Sequence, residues 1–180
     1  MNLNEFQELS RRTMQFGGNP NNDVERNFML VNYSLGIIGE AVETLEAFNQ
    51  NMVLDNSVET LLKEVGDVSH YAVGLAALFH LKLPEEIPFE YKNMTECMHG
   101  LLSNAKDISE YTKKYINHDH DDPFPVKSLM NVFSALNMIC EVFGRSYSEV
   151  LQMNIDKLKN RYPKGFNAED SKNRVDVTKG

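Results

Sequence analysis

Glu40 and Glu43 stand three residues apart in one helix-length run, and Glu64 and Asp67 repeat that spacing in the next. Residues three apart lie one above the other on a helix, so each pair offers two carboxylates in one direction. If the two runs pack side by side and antiparallel, the pairs face each other. They then build a cluster of four acids with a formal charge of about −4 at neutral pH. Such a cluster repels itself unless cations fill it. An all-oxygen ligand set, without Cys or a neighbouring Glu-x-x-His, suits hard Mg²⁺ or Mn²⁺ better than zinc. The competing reading is that these are ordinary solvated acids on amphipathic helices, because Glu is usually exposed. Two equally spaced pairs, each beside an apolar stripe where an unpaired charge is costly, favour the cation site.

The helices that would hold these pairs are read from apolar spacing. In the first run, about 24 to 50, Val31, Leu35, Ile38, Val42 and Leu45 alternate spacings of four and three. They form a stripe that must pack against something, with Glu40 and Glu43 lying away from it. Beside the acids, Gly36 and Ala47 leave room for a ligand or another backbone. In the second run, about 57 to 82, Leu61, Val65, Val68, Ala72, Leu75 and Phe79 form the stripe. Glu64, Asp67 and Tyr71 run along its flank. An Asn- and Asp-rich break separates the two runs, and Asn56 or Ser57 can cap the second.

The rest of the chain reads as further helices. Residues of about 3 to 16 form the first, with Leu3, Phe6, Leu9 and Thr13 inward, ended by Gly17-Gly18-Asn19-Pro20. That loop reads either as a connector or as a flap over a ligand. Pro84 and Pro88 mark a turn before a helix of about 92 to 117, carrying Met94, Met98, Leu101, Ala105, Ile108 and Tyr115. His118-Asp119-His120-Asp121-Asp122 has metal-binding residue types, but an acidic turn ahead of a proline is the commoner meaning, and no site is assigned there. Leu129, Phe133, Leu136, Cys140 and Phe143 trace a fifth helix ended by Gly144, and Ser146-x-x-Glu149 is a capping box that opens a sixth. On the sixth, Leu151, Ile155, Leu158 and Tyr162 form an apolar line, and Asn154, Lys157 and Arg161 a polar line beside it. Those cations either grip an anion or sit solvated near a helix C-terminus, where positive charge is favourable.

All runs are helical, which points to an all-α bundle of about five or six helices. The 180 residues, 42% apolar and 24% charged, suffice for one substantial core. A net charge of −8 argues against a general nucleic-acid or anionic-membrane surface. Cys97 and Cys140 fall in apolar helical patterns and read as buried free thiols, which fits a reducing cytoplasm. With neither a secretory signal pattern nor an apolar run near 18 residues, the expectation is a cytoplasmic protein that does not span a membrane.

Three separated segments, in order, carry a family resemblance: Leu35-Gly-Ile-Ile-Gly39-Glu40-Ala-Val-Glu43, Lys63-Glu64-Val-Gly66-Asp67-Val68, and Asn154-Ile-Asp-Lys157-Leu-Lys-Asn-Arg161-Tyr162-Pro163-Lys-Gly165-Phe166. Together they resemble the MazG-like branch of the all-α nucleoside triphosphate pyrophosphohydrolases. The resemblance implies a single domain over 1–165, with a helical insertion at about 85–145, followed by a tail at 166–180. It implies hydrolysis of a nucleoside triphosphate between the α and β phosphates, with Glu40, Glu43, Glu64 and Asp67 holding Mg²⁺ or Mn²⁺. Glu40 would also take the proton of the attacking water. Lys157 and Arg161 would hold the phosphates, with Asn154 as a hydrogen-bonding partner. Tyr71 would touch sugar or base, or serve as a core tyrosine; Phe166 would pin the tail and Arg174 would reach a phosphate. A homodimer or homotetramer is implied as well. The chain departs from many relatives at His70, where they carry Trp, and at Phe48-Asn49-Gln50, where they carry a Lys pair. Two other classes compete. A carboxylate di-iron protein would use Asp67-x-x-His70 but needs a second such pair, and a non-catalytic nucleotide-binding module would keep the acids without turnover.

Overall fold

The computed structural model describes residues 1–54, 58–118 and 122–173. The chain forms seven α-helices among them, and no strand. Asn56, Ser57, Asp119, His120, Asp121 and Arg174, named above, lie outside the described residues. Helix α1 (Leu3–Ser10) opens on a capping box, in which Glu5 N–H donates to Asn2 and Asn2 N–H to the Glu5 carboxylate. It ends six residues earlier than the spacing suggests. Two 3₁₀ turns follow, Arg11–Thr13 and Gln15–Gly18, and Phe16 and Gly17 take positive φ of 54° and 62°, which a right-handed helix cannot accommodate. Leu9, expected inside, is exposed; the buried face is Leu3, Phe6, Gln7 and Ser10.

Helices α2 (Asp23–Leu54) and α3 (Val58–Leu78) form the central antiparallel pair. Their register is fixed by glycines. A Cβ at Gly36 would lie 2.4 Å from the Tyr71 ring, and one at Gly74 would lie 3.0 Å from the Tyr33 ring. Each ring thus fills a notch on the opposite helix. Gly36 makes room for a side chain of this chain rather than for a ligand. Gly36→Ala is expected to destabilise by about 1–3 kcal/mol through overpacking against Tyr71, read as a fall in thermal midpoint with helical content retained.

The α3 stripe is buried as its spacing requires: Leu61, Val65, Val68, Ala72 and Leu75 are fully enclosed. Phe79 lies just past the helix end and stacks on Phe124 at 4.0 Å. The α2 stripe is a correction. Leu35 and Val42 are exposed, and Val31, Ile38 and Leu45 are half-buried. The face turned to the core carries Leu30, Tyr33, Ile37 and Ala41, with Ser34 and Thr44. Two apolar lines run along this helix. Packing against α3 and α4 selects the second, in which the Ser34 hydroxyl meets that of Thr112 at 2.6 Å.

Helix α4 (Met94–His118) packs on both α2 and α5 (Val126–Val142). Past α5, Gly144 takes φ +70°, and the N–H groups of Gly144 and Arg145 close the helix end on Glu141 and Cys140 carbonyls. Helix α6 (Tyr147–Arg161) opens on the expected box, Ser146 with Glu149. A short α7 (Ala168–Asn173) lies in the segment read above as a tail; Asn167 caps it by accepting from Asp170 N–H at 2.8 Å. Cys97 and Cys140 are buried free thiols, pushed up to about 12 by burial. No single helix among the described residues is long and apolar enough to cross a membrane.

Candidate functional site

The α2–α3 register brings three of the four acids together. Carboxylate oxygens of Glu40, Glu43 and Glu64 all lie within 4.8 Å of one another. Glu43 is exposed, while Glu40 and Glu64 are half-buried against the helix pair. Burial first, then the charges of Asp67, Glu43 and Glu64, pushes the Glu40 carboxyl up to about 8. Glu64 is raised for the same two reasons, burial and then Asp67 and Glu43, and shares a hydrogen bond with Glu40. In the absence of a cation Glu40 therefore keeps a proton at neutral pH, and that proton relieves the crowding.

Asp67 is held differently. Its carboxylate accepts from Lys157 Nζ through both oxygens, and Oδ1 also accepts from Asn154 Nδ2 at 2.7 Å. This contact depends on Gly66, because α6 crosses α3 there and a Cβ at Gly66 would lie 3.0 Å from Asn154 Cβ. Lys157 lowers the proton affinity of both Glu40 and Glu64. The fourth acid expected in the cluster thus stands beside it, paired to the cation of the α6 row.

Acids and cations line one cleft of about 810 Å³, a size suited to a nucleotide-scale ligand. Glu40, Glu43, Glu64, Asp67, Tyr71, Asn154, Lys157 and Arg161 all border it, so these eight candidate residues reach the same space. Tyr71 is half-buried, its ring seated on Gly36 and its hydroxyl pushed up to about 12 by burial and by Glu40 and Asp67. His70 also borders the cleft; burial lowers it to about 4, keeping the ring neutral, and its Nδ1 finds no hydrogen-bond partner among the described residues. It does not join the carboxylate group, so the di-iron arrangement has no support in the geometry.

Part of the wall was not readable from spacing. Thr13, Met14 and Gln15, the turn after α1, line the cleft together with Tyr33, Phe166 and Ser171. The turn after α1 and the segment after α6 are strapped together here. Arg12 donates to the carbonyls of Tyr162 and Pro163 at 3.0 Å, Phe166 N–H donates back to the Arg12 carbonyl, and the Phe166 ring rests 5.4 Å from that of Tyr162. Phe166 pins the tail as expected. The loop over Gly17–Asn22, considered above as a flap, borders a separate hollow with Arg26 and His80 and does not line this cleft.

Compared with protein-family models, with curated proteins and with solved structures, the chain has no match.

Proposed function

We propose that this chain is a MazG-like, metal-dependent nucleoside triphosphate pyrophosphohydrolase, releasing a nucleoside monophosphate and pyrophosphate. The observation that carries this reading is the meeting, in one cleft, of three carboxylates within 4.8 Å and the Lys157–Arg161 row. Acids alone suit a cation and cations alone an anion. Both together suit a polyphosphate that arrives with divalent ions. The donor set fits hard cations: it is all oxygen and crowded, with Glu40 raised by its neighbours' charge and Asp67 paired to Lys157.

Glu40, Glu43 and Glu64 would hold Mg²⁺ or Mn²⁺, with Asp67 as fourth ligand once Lys157 turns from it to a phosphate. Such an ion supplies neutralisation of phosphate charge and lowers the pKa of water. Glu40, whose carboxyl burial and neighbouring charge push up to about 8, would receive the proton of the attacking water. Lys157 and Arg161 bind phosphate oxygens, and Asn154 keeps the Asp67 carboxylate aimed after Lys157 leaves. Tyr71 forms the wall for sugar or base. The partner is a small nucleotide in the cytoplasm, not a nucleic-acid polymer or a membrane.

Pyrophosphate release from a panel of ribo- and deoxyribonucleoside triphosphates with Mg²⁺ is the test. The wild type is expected to turn over at least one of them. Lys157→Met removes a positive charge from the acids, so it should bind Mn²⁺ about tenfold more tightly yet hydrolyse about 10²-fold more slowly. Nucleotide binding without any release, across the whole panel, would leave a binding module in place of the enzyme.

A further inference from the structure

Five buried side-chain polar atoms have no hydrogen-bond partner among the described residues, and three of them, Asn154 Oδ1, His70 Nδ1 and the Tyr33 hydroxyl, belong to residues that border the cleft. The three fall along one line of α3. Gly66, His70 and Gly74 stand four residues apart, one above the other on the helix. Asn154 sits against Gly66, and the Tyr33 ring sits on Gly74, its Cζ, the carbon bearing the hydroxyl, 3.0 Å from where a Cβ there would stand. The row therefore starts beside Asp67 and runs about 12 Å away from it. A buried polar group left unpaired is unfavourable, and a row of them in a cleft wall points to a ligand that pairs with them.

The two ends of the row differ. Asn154 donates its amide N–H to the Asp67 carboxylate and belongs with the acids. His70 and Tyr33 lie among rings: Tyr71 stands edge-on to His70 at 5.6 Å and tilted to Tyr33 at 6.4 Å. Along α2, Tyr33 is seven residues before Glu40 and ten before Glu43, about 10 to 15 Å from the acids. Flat aromatic walls at that remove from a phosphate end match the place of the base in a nucleotide. Burial keeps both groups uncharged, pushing the Tyr33 phenol up and the His70 ring down to about 4. A phenol is a strong donor, and a neutral imidazole offers one nitrogen as a strong acceptor.

We infer that Tyr33 and His70 select the base of the substrate, the Tyr33 hydroxyl donating to a ring carbonyl and His70 Nδ1 accepting from the ring N–H beside it. The pairing rests on the cleft being a nucleoside triphosphate site. It favours uracil, thymine, guanine and hypoxanthine, which carry a carbonyl and an N–H side by side on one edge. Adenine and cytosine present an amino group and a bare ring nitrogen there, setting a donor against Tyr33 and an acceptor against His70. A mismatched edge leaves the buried groups unpaired, which is how a site built on hydrogen bonds rejects a base of similar shape. Both atoms are closed to water in the free protein, so solvent does not satisfy them, and a small shift of the half-buried His70 ring and of Tyr33 on ligand entry opens them to the base edge.

Binding, measured apart from turnover, tests this. Non-hydrolysable triphosphates of uridine, guanosine, adenosine and cytidine are titrated calorimetrically with Mg²⁺ into the full chain, and inorganic tripolyphosphate probes the phosphate end alone. The uridine and guanosine analogues are expected to bind about tenfold more tightly than the other two, the worth of roughly one hydrogen bond. Tyr33→Phe and His70→Phe, which keep a flat ring in place, should each abolish that preference and leave tripolyphosphate affinity unchanged. Because the Tyr33 hydroxyl has no partner in the free protein, Tyr33→Phe should not lower the thermal midpoint, as loss of a structural hydrogen bond would. With tripolyphosphate bound normally, equal affinity for the four analogues, a preference for adenosine or cytidine, or a preference that either variant retains would overturn the base selection alone. A wild type that binds no tripolyphosphate would overturn the phosphate site and the base selection together.

Discussion

Replacing Glu40 with Gln is expected to lower pyrophosphate release by about 10³-fold and, in the same protein, to raise the thermal midpoint of the metal-free form at pH 8. The two effects share one cause. Glu40 is pushed up to about 8 because its charge is desolvated and set beside Asp67, Glu43 and Glu64. An ionised carboxylate there is a strained group, useful as a proton acceptor and unfavourable for folding. Gln keeps the shape and removes both properties. Loss of a general base typically costs about 10²–10⁴ in rate, and loss of a ligand charge adds to it. The stability gain, discounted for the solvent that screens this half-exposed group, is about 1–2 kcal/mol, or about 4 °C in a chain of this size. Glu46→Gln, an exposed acid on the same helix outside the cluster, is the control and should change neither readout. Undiminished release by Glu40→Gln would remove Glu40 from the chemistry.

The metal-free protein is further expected to lose stability as pH rises from about 6.5 to 8.5, and Mg²⁺ or Mn²⁺ to abolish that loss. The Glu40 carboxyl moves from 4.5 in the unfolded chain to about 8 in the folded one. The folded state therefore binds the extra proton between those values. Its contribution is fully present below 4.5 and is lost as pH climbs through 8. Glu64, raised by burial and by Asp67 and Glu43, acts in the same direction. His70 acts in the opposite one. Its ring drops from 6.5 to about 4 on folding, so its contribution is lost as pH falls below 6.5, and above that value only the acids matter. A divalent ion displaces the shared proton, so binding at pH 7 should release close to one proton, measurable as a dependence of binding heat on buffer ionisation. At about a hundredfold excess over its dissociation constant the ion adds about 2.7 kcal/mol. A thermal midpoint indifferent to millimolar Mg²⁺ at pH 8, with no proton released, would count against a cation among these acids.

Local chemistry determined a good deal by itself. The three-residue spacing of Glu40 with Glu43 and of Glu64 with Asp67 places each pair on one helix face in any fold that keeps the helices. The Ser146–Glu149 box and Gly144 set the α5–α6 boundary, because caps act through bonds only a few residues long. The apolar line read along α3, Leu61, Val65, Val68, Ala72 and Leu75, is buried, and packing buries Leu62, Val73 and Leu78 on the same helix as well. What α2 does was decided by tertiary contact. Apolar residues line both its Leu30–Tyr33–Ile37–Ala41 side and its Phe28–Leu35–Val42 side, so spacing permitted either to face inward. Tyr33 and Tyr71 seating on Gly74 and Gly36, with Ser34 against Thr112, selected the first. The partner of Asp67 was likewise invisible along the chain. Lys157 is ninety residues away in sequence, and only the crossing of α6 over Gly66 brings it to the acids. The cleft wall from Thr13 to Gln15 and from Phe166 to Ser171 joins the two ends of the described chain. No periodicity encodes such a contact, because Arg12 reaches the carbonyls of Tyr162 and Pro163 from 150 and 151 residues away in sequence.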